Sequence, residues 1–443
     1  MRRCRQFCYF ACALAISVAA MGAHRDLGPI RAEPKALEQA TPELIERLRA
    51  DPYTYFRFVN RPWIARVCEE LPVVLLHGDA HVEQFAVMHD AWGLDDFDDS
   101  ARGPAIIDIE RFLGSIDLAA RQRSWEKDRD TLFDRFVEGY KQGLIKPEYL
   151  PPPPDIVGRL RAQAPATRAA FLAWGESKMQ PLADASMKAV LAGMEAFARI
   201  MRRERPDLAP EYFRVVRAGW VQSGVGSAES PKIMIRVRGP SDDPADDELL
   251  ESRKIGDLGG LPCLKIPTVQ PTLRVIDGRK HLGRLKYNIL AAGPELVVPE
   301  VMARGERLQD WWIRSLDPTY HQLSLTDFQS VGDLAAVSYD AGVQLGAGRL
   351  LDQTVPLSVY DRKRILGATG RLEQRYRQEA TKMVDDLLRG WRELAGRWAF
   401  SGGSKPANRF VSSPVPNGSA LNRCDTRIED SCSTTNVLEM QGT

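Results

Sequence analysis

Residues 73–99, VVLLHGDAHVEQFAVMHDAWGLDDFDD, concentrate more ionisable chemistry than any other stretch of this chain, and whatever fold forms has to accommodate them. An apolar, strand-like run at 73–76 ends in His77-Gly78-Asp79-Ala80-His81, and a second acidic cluster, Asp95, Asp96, Asp98 and Asp99, follows around Phe97. Strand, polar hairpin, strand, carboxylates is a common way to build a phosphate-and-metal site. An aspartate just after a glycine turn can accept or orient a hydroxyl proton. Phosphoryl transfer asks the protein chiefly for positioning and charge neutralisation, with metals holding the phosphates. Asp96 and Asp98, read as lying on the next strand, then offer hard oxygen ligands to magnesium. The plainer alternative makes them loop carboxylates that cap helices and turns, but buried acidic clusters are unfavourable unless paired or metal-bound.

The rest of the composition narrows the classes. At 443 residues, 44% hydrophobic and 27% charged, the chain reads as globular and large enough for two or three domains or one two-lobed one. A net charge of +1 gives no electrostatic footprint for nucleic acid, which is set aside as a partner. Met1-Arg2-Arg3-Cys4-Arg5 followed by an uncharged apolar run at 7–23 has the shape of a signal peptide or a membrane anchor. The expected location is therefore exported, periplasmic or membrane-associated through the N-terminus if Met1 is the true start, and cytoplasmic otherwise. Of the cysteines, Cys4, Cys8 and Cys12 lie in this leader, and Cys68 and Cys263 stand alone in apolar surroundings. Cys424 and Cys432 can close a small loop in an oxidising compartment. The absence of CxxC and Cys/His spacings argues against a structural zinc.

Taken in order, residues 1–23 are the leader and 24–40 a polar, proline-bearing tether. Thr41-Pro42-Glu43 then starts a helix with N-cap, first-turn proline and first-turn acid. The aromatic segment 51–58 and helices from 106 and over 125–145, 155–173 and 180–204 make 41–209 a helical lobe carrying the 73–99 stretch. Residues 210–303 read as a mostly antiparallel sheet subdomain, with strands at 212–221, 232–237 and 249–255 and strand-like runs at 263–266, 272–276, 285–290 and 296–301. Helices at 331–351 and 365–398 place 304–400 back in the helical lobe, and 401–443 is rich in Ser, Gly, Pro and Asn, as disordered tails are. Between the first two strands of the sheet subdomain, Gly224, Gly226 and Ser227 form a glycine turn that can cover phosphates with backbone N–H groups. It is neither a Walker A nor a Rossmann fingerprint, and glycine pairs also mark ordinary hairpins. Arg253, Lys254 and Lys265 are candidate phosphate cations, although most such residues are solvated strand-edge charges.

HGDAHVEQF followed by DDFDD resembles the HGDxHxxN … D motif pair of the aminoglycoside and choline kinase group. The chain is still more similar to a bacterial family of unknown function, domain-of-unknown-function family 2252. That resemblance rests on DPYTYFRF (51–58), HGDAHVEQF (77–85), LDDFDDSARGP (94–104), DIERFLGSI (108–116), SGVGS (223–227) and RQEATKMVDDLLRGW (377–391), and covers most of 45–398. It implies an α+β, two-lobed, protein-kinase-like fold that is circularly permuted, since the catalytic-loop motif precedes the glycine loop. The hinge would then be 297–301, and the helix preceding the catalytic loop 333–351. It also implies Mg and ATP as cofactors, Asp79 as base or orienter and Asp96 as principal metal ligand. Asp98 and Gln84 become secondary ligands, His77 and His81 shape the loop, and Gly224, Gly226, Ser227 and Arg253 or Lys254 bind the nucleotide.

Three positions depart from the family pattern. Gln84 replaces the metal-binding Asn, Arg253 or a shifted Lys254 replaces the strand lysine, and Ala228-Glu229 extends the glycine loop. The expected function is a kinase-like phosphotransferase of unknown, small-molecule acceptor. Two alternatives are a non-catalytic kinase-like binding protein of the envelope and a metal-dependent phosphoesterase using His77, Asp79, His81 and Asp96 as ligands.

Overall fold

The computed structural model describes residues 28–67, 73–163, 167–221, 232–256, 258–261, 263–266, 272–293, 311–348 and 359–396. Within these, helix and antiparallel sheet combine in an α+β fold with two main apolar cores.

The larger core is helical. Helices α1 (Pro34–Gln39), α2 (Pro42–Ala50), α3 (Pro52–Phe58) and α4 (Asn60–Ile64) come first. Thr41 caps α2 by accepting from the Leu44 N–H at 3.2 Å, and Asp51 caps α3 by accepting from Tyr53 and Thr54. The described part of the expected tether is instead packed. Ile30 is fully buried, its N–H donates to the Asp386 carbonyl at 3.0 Å, and Arg66 donates to the carbonyls of Gly28 and Pro29. Buried Ile30 and Ala36, with partners for backbone groups of residues 28–32, order a stretch that its prolines made look like a linker.

Helices α5 (Ile106–Gln122), α6 (Arg129–Ile145) and α7 (Asp155–Arg161) follow, and α11 (Val331–Gly348) and α12 (Val359–Gly396) return to this core from the other end of the chain. α6 and α11 make the closest helix pair. A Cβ on Gly139 would stand 2.0 Å from the Tyr339 carbonyl oxygen, and one on Gly342 would stand 2.2 Å from that of Phe136. No described helix is long and apolar enough to cross a membrane.

Two small sheets hang on this core. β1 (Val73–Leu76) pairs antiparallel with β4 (Ala101–Pro104), and the hairpin of β2 (Phe85–Met88) and β3 (Ala91–Leu94) is extended by β10 (His321–Gln322). Asp96 and Asp98 therefore sit in the loop between β3 and β4, not on a strand as the sequence suggested.

The second core lies under a five-stranded antiparallel sheet. Its strands are β5 (Val215–Trp220), β6 (Lys232–Val237), β7 (Glu248–Lys254), β8 (Leu290–Ala292) and β9 (Trp311–Ser315), in the order β5-β6-β7-β9-β8. α9 (Asp184–Glu204) covers one face, with Val190, Met194 and Phe197 against Ile233, Ile235, Leu250 and Ile313. α8 (Arg168–Lys178) sets Phe171 and Leu172 on the other, against Met234 and Leu249.

The expected lobe boundaries shift accordingly. The helices of 168–204 pack on the sheet, and β9 extends the sheet unit beyond 303 because its backbone pairs antiparallel with both β7 and β8. Residues 272–276 are not a strand but the start of α10 (Leu273–Leu282). Val275, Gly278, Arg279 and Leu282 are buried at helical spacing, which overrides the β-branched pair Val275-Ile276. Of the run at 263–266, only Lys265 pairs, with Arg102, and the run at 285–290 becomes a strand only at its last residue. Cys263 is not alone, since it is disulfide-bonded. The leader, Cys68, the glycine turn, the run at 296–301 with the proposed hinge, and the tail lie outside the described residues.

Candidate functional site

The 77–81 loop is held from beneath by one face of α5. Asp108 accepts from the backbone N–H groups of His77 at 2.9 Å and Gly78 at 2.8 Å, and Ser115 Oγ accepts from the Val82 N–H. Between them in the helix, Arg111 donates through Nε to Asp79 Oδ1 at 2.9 Å and through Nη2 to the Phe56 carbonyl, its guanidinium lying 3.6 Å above the Phe56 ring centroid. Residues 108, 111 and 115 share a helical face. Gly78, at φ 88°, cannot be replaced, because a Cβ there would come within 1.9 Å of the Asp99 carbonyl oxygen. Asn60 closes the loop by donating to the carbonyl of Gly78 and to Asp99 Oδ2.

This frame sets the state of each group. The Asp79 N–H donates to His77 Nδ1, so His77 Nε2 carries the proton donated to the Asp95 carbonyl at 2.7 Å. Burial alone would raise the Asp79 carboxyl, but Arg111 and the His81 ring outweigh it and hold the group well below the usual carboxylate range. Burial brings His81 down to about 4, against the pull of Asp79. The His81 ring is fully buried, with Nε2 3.5 Å from Asp79 Oδ2, and neither nitrogen has a hydrogen-bond partner among the described residues.

The acidic loop meets the charged end of the five-stranded sheet. Arg253 of β7 donates from Nη1 to both Asp96 Oδ1 at 2.6 Å and Asp98 Oδ2 at 2.9 Å, and from Nε to Glu251 at 2.7 Å. Asp95 takes Arg279 of α10 at 2.5 Å, Arg314 of β9 at 3.0 Å and the Tyr287 hydroxyl at 2.7 Å, and Arg314 also donates to Glu251. Burial would raise Asp95, but Arg279 and Arg314 hold it near about 2. Arg253 and Lys232 likewise outweigh burial at Asp96, which stays well below the usual range. For Asp98, burial and the neighbouring Asp96 carboxylate win and push it up to about 7. Asp96 holds φ 61°, a left-handed conformation that Asp tolerates better than most residues.

Asp79, His77 and His81 are thus gathered in one loop, with Asp96, Asp98 and Arg253 in one ion-pair cluster. Gln84 is tied elsewhere, its Oε1 accepting from Gln322 Nε2 at 2.8 Å. Lys254 points away from the carboxylates, because adjacent strand residues face opposite sides of a sheet. Gly224, Gly226 and Ser227 lie outside the described residues.

The donor set does not fit magnesium as it stands. The two best-placed carboxylate oxygens face a guanidinium nitrogen, and among the described residues no three His, Cys, Asp or Glu side chains converge to hold a metal ion. The sequence reading missed Arg111, Asp108, Glu251, Arg314 and Lys232. For the first two the spacing within 106–122 was a usable signal, but the others depend on cross-strand register.

The described residues therefore define an α+β protein whose carboxylate loop is docked on the charged end of an antiparallel sheet. Residues 36–148 match the model of a family described as "Uncharacterized protein conserved in bacteria (DUF2252)". The motifs at 51–58, 77–85, 94–104 and 108–116 fall inside that match, and those at 223–227 and 377–391 fall outside it. No curated protein and no solved structure matches the chain.

Proposed function

We propose that the protein is a phosphotransferase-like, kinase-like protein that binds a nucleotide between the five-stranded sheet and the 77–99 loop and presents its phosphates to a hydroxyl-bearing small molecule. The observation that carries this reading is the contact of Arg253 with Asp96 and Asp98. Protein kinases cover the phosphates with a glycine loop, reach them with a cation on the third strand and carry a helix after that strand. Here the strands flanking the glycine turn are the first two of the sheet, Arg253 lies on the third, and α10 comes between the third and fourth. Because the loop with Asp79 precedes the sheet in the chain, the arrangement is a permuted one. The hinge then moves from 297–301 to the residues after β9, the last strand of the sheet.

Asp79 acts as an orienter. A carboxyl held so low is a weak base, but a loose phosphoryl-transfer transition state needs a positioned hydroxyl more than a strong base. Arg111 fixes Asp79 Oδ1 and leaves Oδ2 to accept from the substrate.

One observation favours a second reading, a non-catalytic binding protein: Arg253 Nη1 stands between Asp96 and Asp98, where a kinase would hold its metal. The phosphoesterase alternative is weaker, since both ring nitrogens of His77 are engaged by backbone groups. Thermal melting with ATP, ADP and GTP tests the proposal. ATP should raise the melting temperature of the wild type and not of Arg253→Met. No shift with any nucleotide would overturn it. A shift without phosphate transfer to any of a panel of hydroxyl compounds would select the binding protein.

A further inference from the structure

Two buried cations at the charged end of the five-stranded sheet have donors to spare. Lys232, the first residue of β6, is directly opposite Arg253 in the β6–β7 register, so the two side chains project from the same face. They are 8% and 4% exposed. Arg253 spends Nε on Glu251 and Nη1 on the two aspartates, which leaves Nη2 without a hydrogen-bond partner among the described residues. Lys232 Nζ has neither hydrogen bond nor ion pair there. Asp96, Asp98 and Glu251 are the carboxylates that act on it electrostatically. Burial disfavours the charged ammonium, and an anion reaching Nζ would offset that cost. It also follows directly on the segment that contains the glycine turn.

We infer that Lys232 and Arg253 together bind the phosphate groups of the ligand without a divalent cation, Arg253 standing between Asp96 and Asp98 in the place a metal would take. The inference rests on the nucleotide reading above and adds to it the cation that does the neutralising. Magnesium demands near-octahedral oxygen ligands at about 2.0–2.1 Å, and one oxygen of each aspartate already accepts from Arg253 Nη1, so the pair offers it fewer ligands than it needs. The guanidinium offsets part of the aspartate charge, and its planar fork still presents Nη2 on the face it shares with Lys232. The usual division of labour is reversed: the protein carries the positive charge that kinases borrow from metal.

Isothermal titration of the full-length protein with inorganic pyrophosphate, in EDTA and in magnesium chloride, tests this. Binding should be unchanged by EDTA. Lys232→Met should weaken it by about tenfold or more, and Lys232→Arg should restore most of it. Binding that appears only with magnesium overturns the inference and leaves the nucleotide reading standing. Failure of both pyrophosphate and ATP to bind in either medium overturns both. If Lys232→Met does not fold, acetic anhydride labelling of the wild type decides the role of Lys232. Protection by pyrophosphate supports it, and equal labelling with and without pyrophosphate overturns it.

Discussion

The α6–α11 contact and the contact between the sheet and the 77–99 loop join distant parts of the chain by opposite means. In the first, shape does the joining. Gly139 and Gly143 on one helix meet Gly342 and Gly346 on the other, and a Cβ at any of the four would fall 2.0–2.2 Å from a carbonyl oxygen of the partner helix. In the second, charge does it. Asp95, Asp96, Asp98 and Glu251 interlock with Arg253, Arg279 and Arg314 across strands and loops. A shape contact fails when an atom is added and is indifferent to salt. A charge contact fails when one partner is removed, and tolerates removal of both if volume is kept. The loop itself follows the second rule at Arg111 and Asp79.

The largest effect should come from Arg111→Met, which leaves the Asp79 carboxylate without its buried partner and should destabilise by about 3–5 kcal/mol in urea unfolding. Adding Asp79→Asn to that variant should recover most of the loss. If the double variant is no more stable than the single, charge is not what holds this loop, and the comparison breaks.

Gly342→Val should destabilise by about 2–3 kcal/mol through overpacking against α6. The same loss should appear at low and high salt. A salt-dependent loss would mean that the helix pair is not held by shape.

The smallest effect concerns pH. His81 is held near about 4 by burial and returns to its ordinary value near 6.5 on unfolding. The unfolded chain therefore binds the extra proton, and this contribution to stability is present above pH about 6.5 and lost as pH falls towards 4. Replacing His81 by Leu should flatten that part of the stability profile, by on the order of 2 kcal/mol. An unchanged slope between pH 6.5 and 4 would show that the ring is not buried in its uncharged form.

Elements whose signals are local could be read from the sequence. Thr41-Pro42-Glu43 fixes the start of α2, and the alternating residues of 232–237 and 249–255 describe β6 and β7 closely. The apolar and small-residue spacing of 331–351 reads as a helix, and Val331–Gly348 is one. Elements defined by distant partners were hidden. Trp311–Ser315 carries strand-favouring Trp and Ile but is only five residues long, and its place between β7 and β8 is set by partners distant in the chain. α10 is helical because its buried side is set by Phe97, Ser100 and Trp312 rather than by its own β-branched pair.

The candidate site divides in the same way. The carboxylates were conspicuous in the sequence. Of the cations that neutralise them, Arg253 was singled out, but as a phosphate ligand, and Lys232 and Arg314 were hidden because register alone sets Lys232 opposite Arg253 and Glu251 opposite Arg314. Gln84 was read for its position in a motif, but Gln322, from a strand far along the chain, takes its side chain.

The order of the strands has a consequence for how the chain comes to be folded at all. The last strand of the five-stranded sheet to be synthesised, β9, is an interior one, so β8 has no neighbour until residue 315 has been made. The helical core closes later still, since α11 and α12 complete a core begun by α1 to α5. Neither half can finish while it is being made, and a nascent chain that has emerged only as far as the middle carries two open apolar surfaces at once. Such a topology is slow, rich in long-range contacts and exposed to misassembly during synthesis.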